Sequence, residues 1–167
     1  YEIVSRDWSS DVCSSDLYAF TFGELWFQVP ESIEITLTGK APDWPIGKDV
    51  MLYLAGKYGV DMALYQAIEF TGPGVATLSM DNRLTMADQG VEVGAKFTIF
   101  PFDDATRKFL AGRTDRQFQT VSPDPDAVYS RRITVDLSAI TPQVAAPHSF
   151  GNVKPVEQHL GVGIDQA

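Results

Sequence analysis

The sequence predicts an α/β protein, a layered mixed sheet with flanking helices. Three observations carry this. Apolar residues alternate with period two in "SIEITLTGK" and "RRITVDL", which marks strands, and recur at helical spacing in "GKDVMLYLAGKYG". Segments of the two kinds follow one another along the chain without an internal repeat, the order expected of a layered α/β domain.

The elements follow in chain order. Ile33, Ile35 and Leu37 alternate with Glu34, Thr36 and Thr38 up to Gly39, a half-buried strand. "APDWP" then stops the pattern with two prolines. Val50, Met51, Leu54, Ala55 and Tyr58 share one helical face, and Gly59 is placed to end that helix. "ALYQAIEF" reads as a short buried strand, and "TGPG" as a turn in which Gly72 and Gly74 are free to take positive φ. Leu84, Ala87, Val91 and Ala95 fall at i, i+3, i+7 and i+11, predicting a helix that turns this stripe to the core. "KFTIFP" reads as a strand. "DDATRKFLAGR" reads as a short helix capped by Asp103 or Asp104 and closed near Gly112. Residues 113–128, with Asp115, Asp124, Asp126 and two prolines, read as a loop or crossover. A strand on Ile133, Val135 and Leu137 comes next, and the proline-punctuated "TPQVAAPHSFGNVKPVEQ" reads as irregular.

The opening run "YEIVSRDWSSDVCSSDL" has no apolar rhythm and holds the single cysteine, Cys13. A nucleophilic thiol needs a base beside it, and structural zinc needs about four ligands. The two histidines, His148 and His159, lie far along the chain. The serine- and aspartate-rich composition is that of a solvated tail. The run also resembles a translated sequencing-library adapter. Residues 1–17 are therefore set apart as a non-native tail, and residues 18–167 are taken as one region.

Without that tail the chain carries 12 basic and 18 acidic residues, since 1–17 holds one of the 13 basic and four of the 22 acidic ones. One hydrophobic core suits such a length. An acidic surface whose densest basic spot is the pair Arg131-Arg132 argues against nucleic acid, where phosphate neutralisation dominates affinity. No apolar run is long enough for a membrane span. A reducing, cytoplasmic location is expected from the lack of paired cysteines.

Chemistry is best placed in "MADQGVEVGAK". Asp88 and Glu92 stand at i and i+4 on one predicted helical face, where like charges repel by roughly 0.2–0.5 kcal/mol and so do not help the helix. Paired carboxylates can hold a cation or its bound water, or share proton transfer. A solvated face is the competing explanation, because Glu92 and Lys96 form a favourable i, i+4 pair. His148 has no visible partner, and "TGPGV" lacks the phosphate-loop pattern.

Four segments in order, "GELWFQVPESIEITLTGK", "KDVMLYLAGKYGVDMALYQAIEFTGPGV", "LSMDNRLTMADQGVEVGAK" and "NVKPV", resemble the aconitase superfamily. The form "WFQVPES" is most similar to the 3-isopropylmalate dehydratase and prokaryotic homoaconitase group. The resemblance implies a hydro-lyase acting on a small 2-hydroxy di- or tricarboxylate through a 4Fe-4S cluster, with a small swivelling subunit as partner. It also implies that the chain is an internal fragment, inactive alone. The histidine motif "DSHT" would lie before it and the cluster cysteine motif "GSCTN" after it, so no cluster or metal ligand is expected within it. The family pattern "NMxxE" falls on "DQGVE", which assigns Asp88 and Glu92 supporting catalytic roles near the cluster. Glu92 agrees with the pattern. Asp88 replaces an Asn. A standalone, non-catalytic acidic α/β domain that binds a partner is the alternative.

Overall fold

The computed structural model describes residues 14–24, 28–117 and 119–163, the side chains of 14–17 excepted. Helix α1 is Ser14–Phe22, whose Tyr18 and Phe22 rings lie 4.6 Å apart. The expectations that residues 1–17 make no packed contacts and that Cys13 is exposed fall outside the described residues and side chains. The proposed division of the chain at residue 17 falls within α1.

Among the described residues, β1 (Ser32–Thr38), β2 (Ala67–Thr71), β3 (Phe97–Ile99) and β4 (Arg131–Asp136) form one sheet in the order β3-β2-β1-β4. All three pairings are parallel, so each connection must cross over the sheet. Helix α2 (Gly47–Tyr58) does this between β1 and β2, and α3 (Met80–Asp88) between β2 and β3. Helix α4 (Asp104–Leu110) lies in the longer passage from β3 to β4. The α/β class holds, with antiparallel pairing confined to a separate ribbon of β5 (Gln143–Ala145) and β6 (Val153–Pro155). That ribbon corrects the reading of residues 141–158 as irregular. Each strand of the ribbon holds three residues and lies among prolines, so no alternation marks it.

Period-two alternation decides which sheet face is apolar. Ile33, Ile35, Leu37, Ile68, Phe70, Ile133 and Val135 are all buried, together with Val50, Met51, Leu54 and Ala55 of α2. Burying each large apolar side chain contributes roughly 1.5–3 kcal/mol. Helix α2 stops at Gly59, whose φ of 92° suits glycine and whose N–H donates to the Ala55 carbonyl. Asp103 caps α4, accepting from the N–H groups of Ala105 and Thr106, which decides between the two candidate caps.

Two local expectations are corrected. Gly72 takes a positive φ of 91°, but Gly74 does not. Gly74 sits in a 3₁₀ turn, Pro73–Thr77, where a Cβ would come within 2.9 Å of the Leu37 carbonyl group. Its requirement is space. The second correction concerns α3, where Leu84 is 50% and Val91 54% exposed. The residues turned inward are Arg83, Met86, Gly90 and Val93, the first three each one position before the predicted ones. Arg83 takes the first core position because its charge is neutralised there: it bonds to Asp103 and to the Val75 carbonyl. The α-helix also ends at Asp88 and tightens into a 3₁₀ turn, Gln89–Val93. Gly94 closes this turn with φ 82°, and the Ala95 N–H reaches back to the Gly90 carbonyl.

Candidate functional site

The tightened turn places Glu92. Gly90 has no Cβ to collide with Thr98 of β3, so the turn lies flat against the strand. Gln89 and Glu92 then face the first half of α2 and the β5–β6 ribbon. The ribbon is held by two contacts. The Gln143 N–H donates to Asp49 Oδ1 at 2.7 Å, and Gly56 leaves room for Val153 against α2.

Between these pieces lies an open hollow of about 440 Å³, lined by Lys48, Leu52, Gln89, Glu92, Gln143, Val144, Ala145 and Phe150. Lys48 and Leu52 are one turn apart on α2. The lining mixes one ammonium, one carboxylate and two amides with an apolar wall of Leu52, Val144 and Phe150. Such a surface fits a small molecule that is charged at one end and apolar at another.

Glu92 lines this hollow, and Asp88 does not. An unbroken helix would have put both on one face. The change to 3₁₀ geometry after Asp88 turns them apart. Both carboxylates belong to exposed residues. Lys96 is not paired with Glu92: its Nζ lies 4.9 Å from the centroid of the Tyr65 ring, and the ion pairs among the described residues do not include the two.

Residues 12–163 match the Aconitase family (aconitate hydratase). The chain belongs to that family. Three relatives, each a 3-isopropylmalate dehydratase large subunit, come from Moorella thermoacetica at 45% identity and from Clostridium kluyveri and Syntrophus aciditrophicus at 43% each. Each match covers 95% of this chain and 38% of the relative, so the chain spans well under half the length of the proteins it resembles.

Within the aconitase-family pattern quoted above, Gln89 stands at the position of the Met. This is a second departure from the pattern, legible in "DQGVE". The structure gives it weight. Gln89 Oε1 is buried without a hydrogen-bond partner. Lys48, Gln143 and Phe150 carried no motif that sequence reasoning could have used. His148 and His159 do not line the hollow. No helix among the described residues is long and apolar enough to cross a membrane.

Proposed function

We infer that this chain is part of a hydro-lyase that adds or removes water on a small 2-hydroxy di- or tricarboxylate such as 3-isopropylmalate or homoaconitate. The carrying observation is the 45% identity to a 3-isopropylmalate dehydratase large subunit over 95% of the chain. A partnering small subunit is part of the same reading, prompted by the word "large" in the relatives' names. A substrate site near Glu92 is supported by the hollow it lines. Glu92 there orients water or moves the proton that dehydration requires, and Asp88, outside the hollow, acts on it only through the local field. The cytoplasm is the compartment we assign.

Family resemblance implies a 4Fe-4S cluster, which supplies a Lewis acid for the leaving hydroxyl when bound. The donors around the hollow are carboxylate, amide and ammonium groups, not thiolates. Among the described residues no three His, Cys, Asp or Glu side chains group as a metal site. This donor set does not fit a cluster's ligand shell. The residues of the hollow bind and orient the substrate.

A chimera tests the reading. Residues 18–163 replace the matched segment of the Moorella thermoacetica large subunit, which is then assembled with its small subunit. Turnover of 3-isopropylmalate, homoaconitate or citrate is expected. An assembled, cluster-loaded chimera that turns over none of them would overturn the proposal.

A further inference from the structure

A second open hollow, of about 420 Å³, lies where the last turns of α2 meet the β5–β6 ribbon and the chain leading into it. Its lining includes no carboxylate, in a chain of net charge −9. Tyr53 and Lys57 stand at i and i+4 on α2 and so share a face. Lys57 Nζ donates to the Tyr53 hydroxyl at 2.7 Å and lies 5.1 and 5.4 Å from the centroids of the Tyr53 and Tyr58 rings. These contacts place the ammonium without neutralising it, and among the described residues it is in no ion pair. Because the Tyr53 oxygen accepts from Lys57, its own hydrogen is left to donate. Thr141 is a similar case. Its Oγ1 accepts from Gln143 Nε2 at 3.2 Å, and among the described residues its hydrogen has no acceptor.

The rest of the lining is largely apolar, with Ile140, Val153 and Pro155. Gly56 opens the space for it, since a Cβ there would come within 2.8 Å of Val153. Donors on three residues, one of them charged, stand beside an apolar wall. We propose that this hollow binds a phosphate monoester with an apolar body. The phosphate takes hydrogen bonds from Lys57, Tyr53 and Thr141, and the body lies on Ile140, Val153 and Pro155. Three donor residues match the three terminal oxygens of a phosphate monoester, whereas a carboxylate has two. The end of α2 beside Lys57 carries roughly half a negative charge, which the full ammonium charge outweighs. This hollow shares only Gln143 with that of Glu92, and the proposal does not rest on the hydro-lyase reading.

Phenyl phosphate is the probe, with inorganic phosphate, benzoate and benzyl alcohol beside it. Each is titrated into the 167-residue chain while the backbone amide signals of Lys57, Thr141 and Val153 are followed by NMR. Phenyl phosphate is expected to bind more tightly than inorganic phosphate, which lacks the apolar body, and more tightly than benzoate or benzyl alcohol. Lys57→Met should weaken it roughly tenfold or more, the worth of a charge-assisted hydrogen bond. Tyr53→Phe keeps the ring, removes the hydroxyl and should weaken binding less. Lys96→Met removes an equal charge outside the hollow and should leave affinity unchanged. Absence of binding, or any of the other three compounds binding as tightly as phenyl phosphate, would overturn the proposal. So would an affinity unaltered in Lys57→Met, or equal losses in Lys57→Met and Lys96→Met, which would reduce the effect to net charge.

Discussion

Arg83 and Asp103 form a two-pronged ion pair beneath α3, with Nη1 to Oδ1 at 2.8 Å and Nη2 to Oδ2 at 2.6 Å. Arg83 is 2% exposed, and its Nη2 also donates to the Val75 carbonyl at 2.9 Å. Three elements meet there: α3, the cap of α4 and the turn after β2. Neutralising Asp103 would leave a buried guanidinium unpaired, so Asp103→Asn should cost about 3 kcal/mol at neutral pH. Urea unfolding checks this, and a cost near zero would contradict the role.

The same pair sets an acid limit. Hydrogen bonding from Arg83, helped by the N–H groups of Thr106 and Ala105, outweighs burial and holds the Asp103 carboxyl down to about 2, against an ordinary 3.8. Its folded-state pKa lies below its unfolded one. The stabilisation is therefore present above about pH 4 and lost as pH falls towards 2. It amounts to about 2 kcal/mol. Stability measured between pH 5 and 2 should fall more steeply for the parent than for Asp103→Asn.

On the other sheet face, Glu34 and Glu69 stand directly opposite each other in the parallel register of β1 and β2. Each is answered separately. Arg132 Nε donates to Glu34 at 2.8 Å, and the Tyr129 hydroxyl donates to Glu69 at 2.8 Å. Burial, followed by the Glu69 bond and charge, pushes the Tyr129 phenol up to about 12. Because this pKa is raised, the associated stabilisation is full below pH 10 and fades as pH climbs through 12. Ultraviolet titration should show a late-titrating phenol that is absent in Tyr129→Phe and moved to lower pH in Glu69→Gln.

The two faces of α3 give a packing test. Met86 is fully buried, whereas Leu84 is half exposed. Met86→Ala should cost about 2–5 kcal/mol. Leu84→Gln should stay within about 0.5 kcal/mol. Comparable losses by thermal melting would restore the stripe that the sequence predicts.

That contrast shows where sequence reasoning reached and where it stopped. Ile33, Ile35 and Leu37 alternate cleanly, and the apolar face of α2 repeats over three turns, so both elements were legible. The cap of α4 was legible only as one of two neighbours, Asp103 or Asp104. The face of α3 was misread by one position because a hydrophobicity pattern does not count an arginine as a core residue. Arg83 becomes one only through Asp103, twenty residues away. The change to 3₁₀ geometry after Asp88 has no periodic signature, yet it decides that Glu92 lines the hollow and Asp88 does not. Lys48 and Phe150 join the site through crossover and ribbon packing, which local patterns do not carry.

The central claim is that Glu92 serves chemistry and not surface charge. Glu92→Gln in the cluster-loaded chimera, assembled with the small subunit, tests it most directly. Its stability cost should be within about 0.5 kcal/mol, as for an exposed side chain. Turnover should fall by roughly 10²-fold or more, the usual weight of a proton-transfer group. Asp88→Asn, which restores the pattern residue outside the hollow, should be tolerated. Undiminished turnover in Glu92→Gln with the cluster intact would contradict the account.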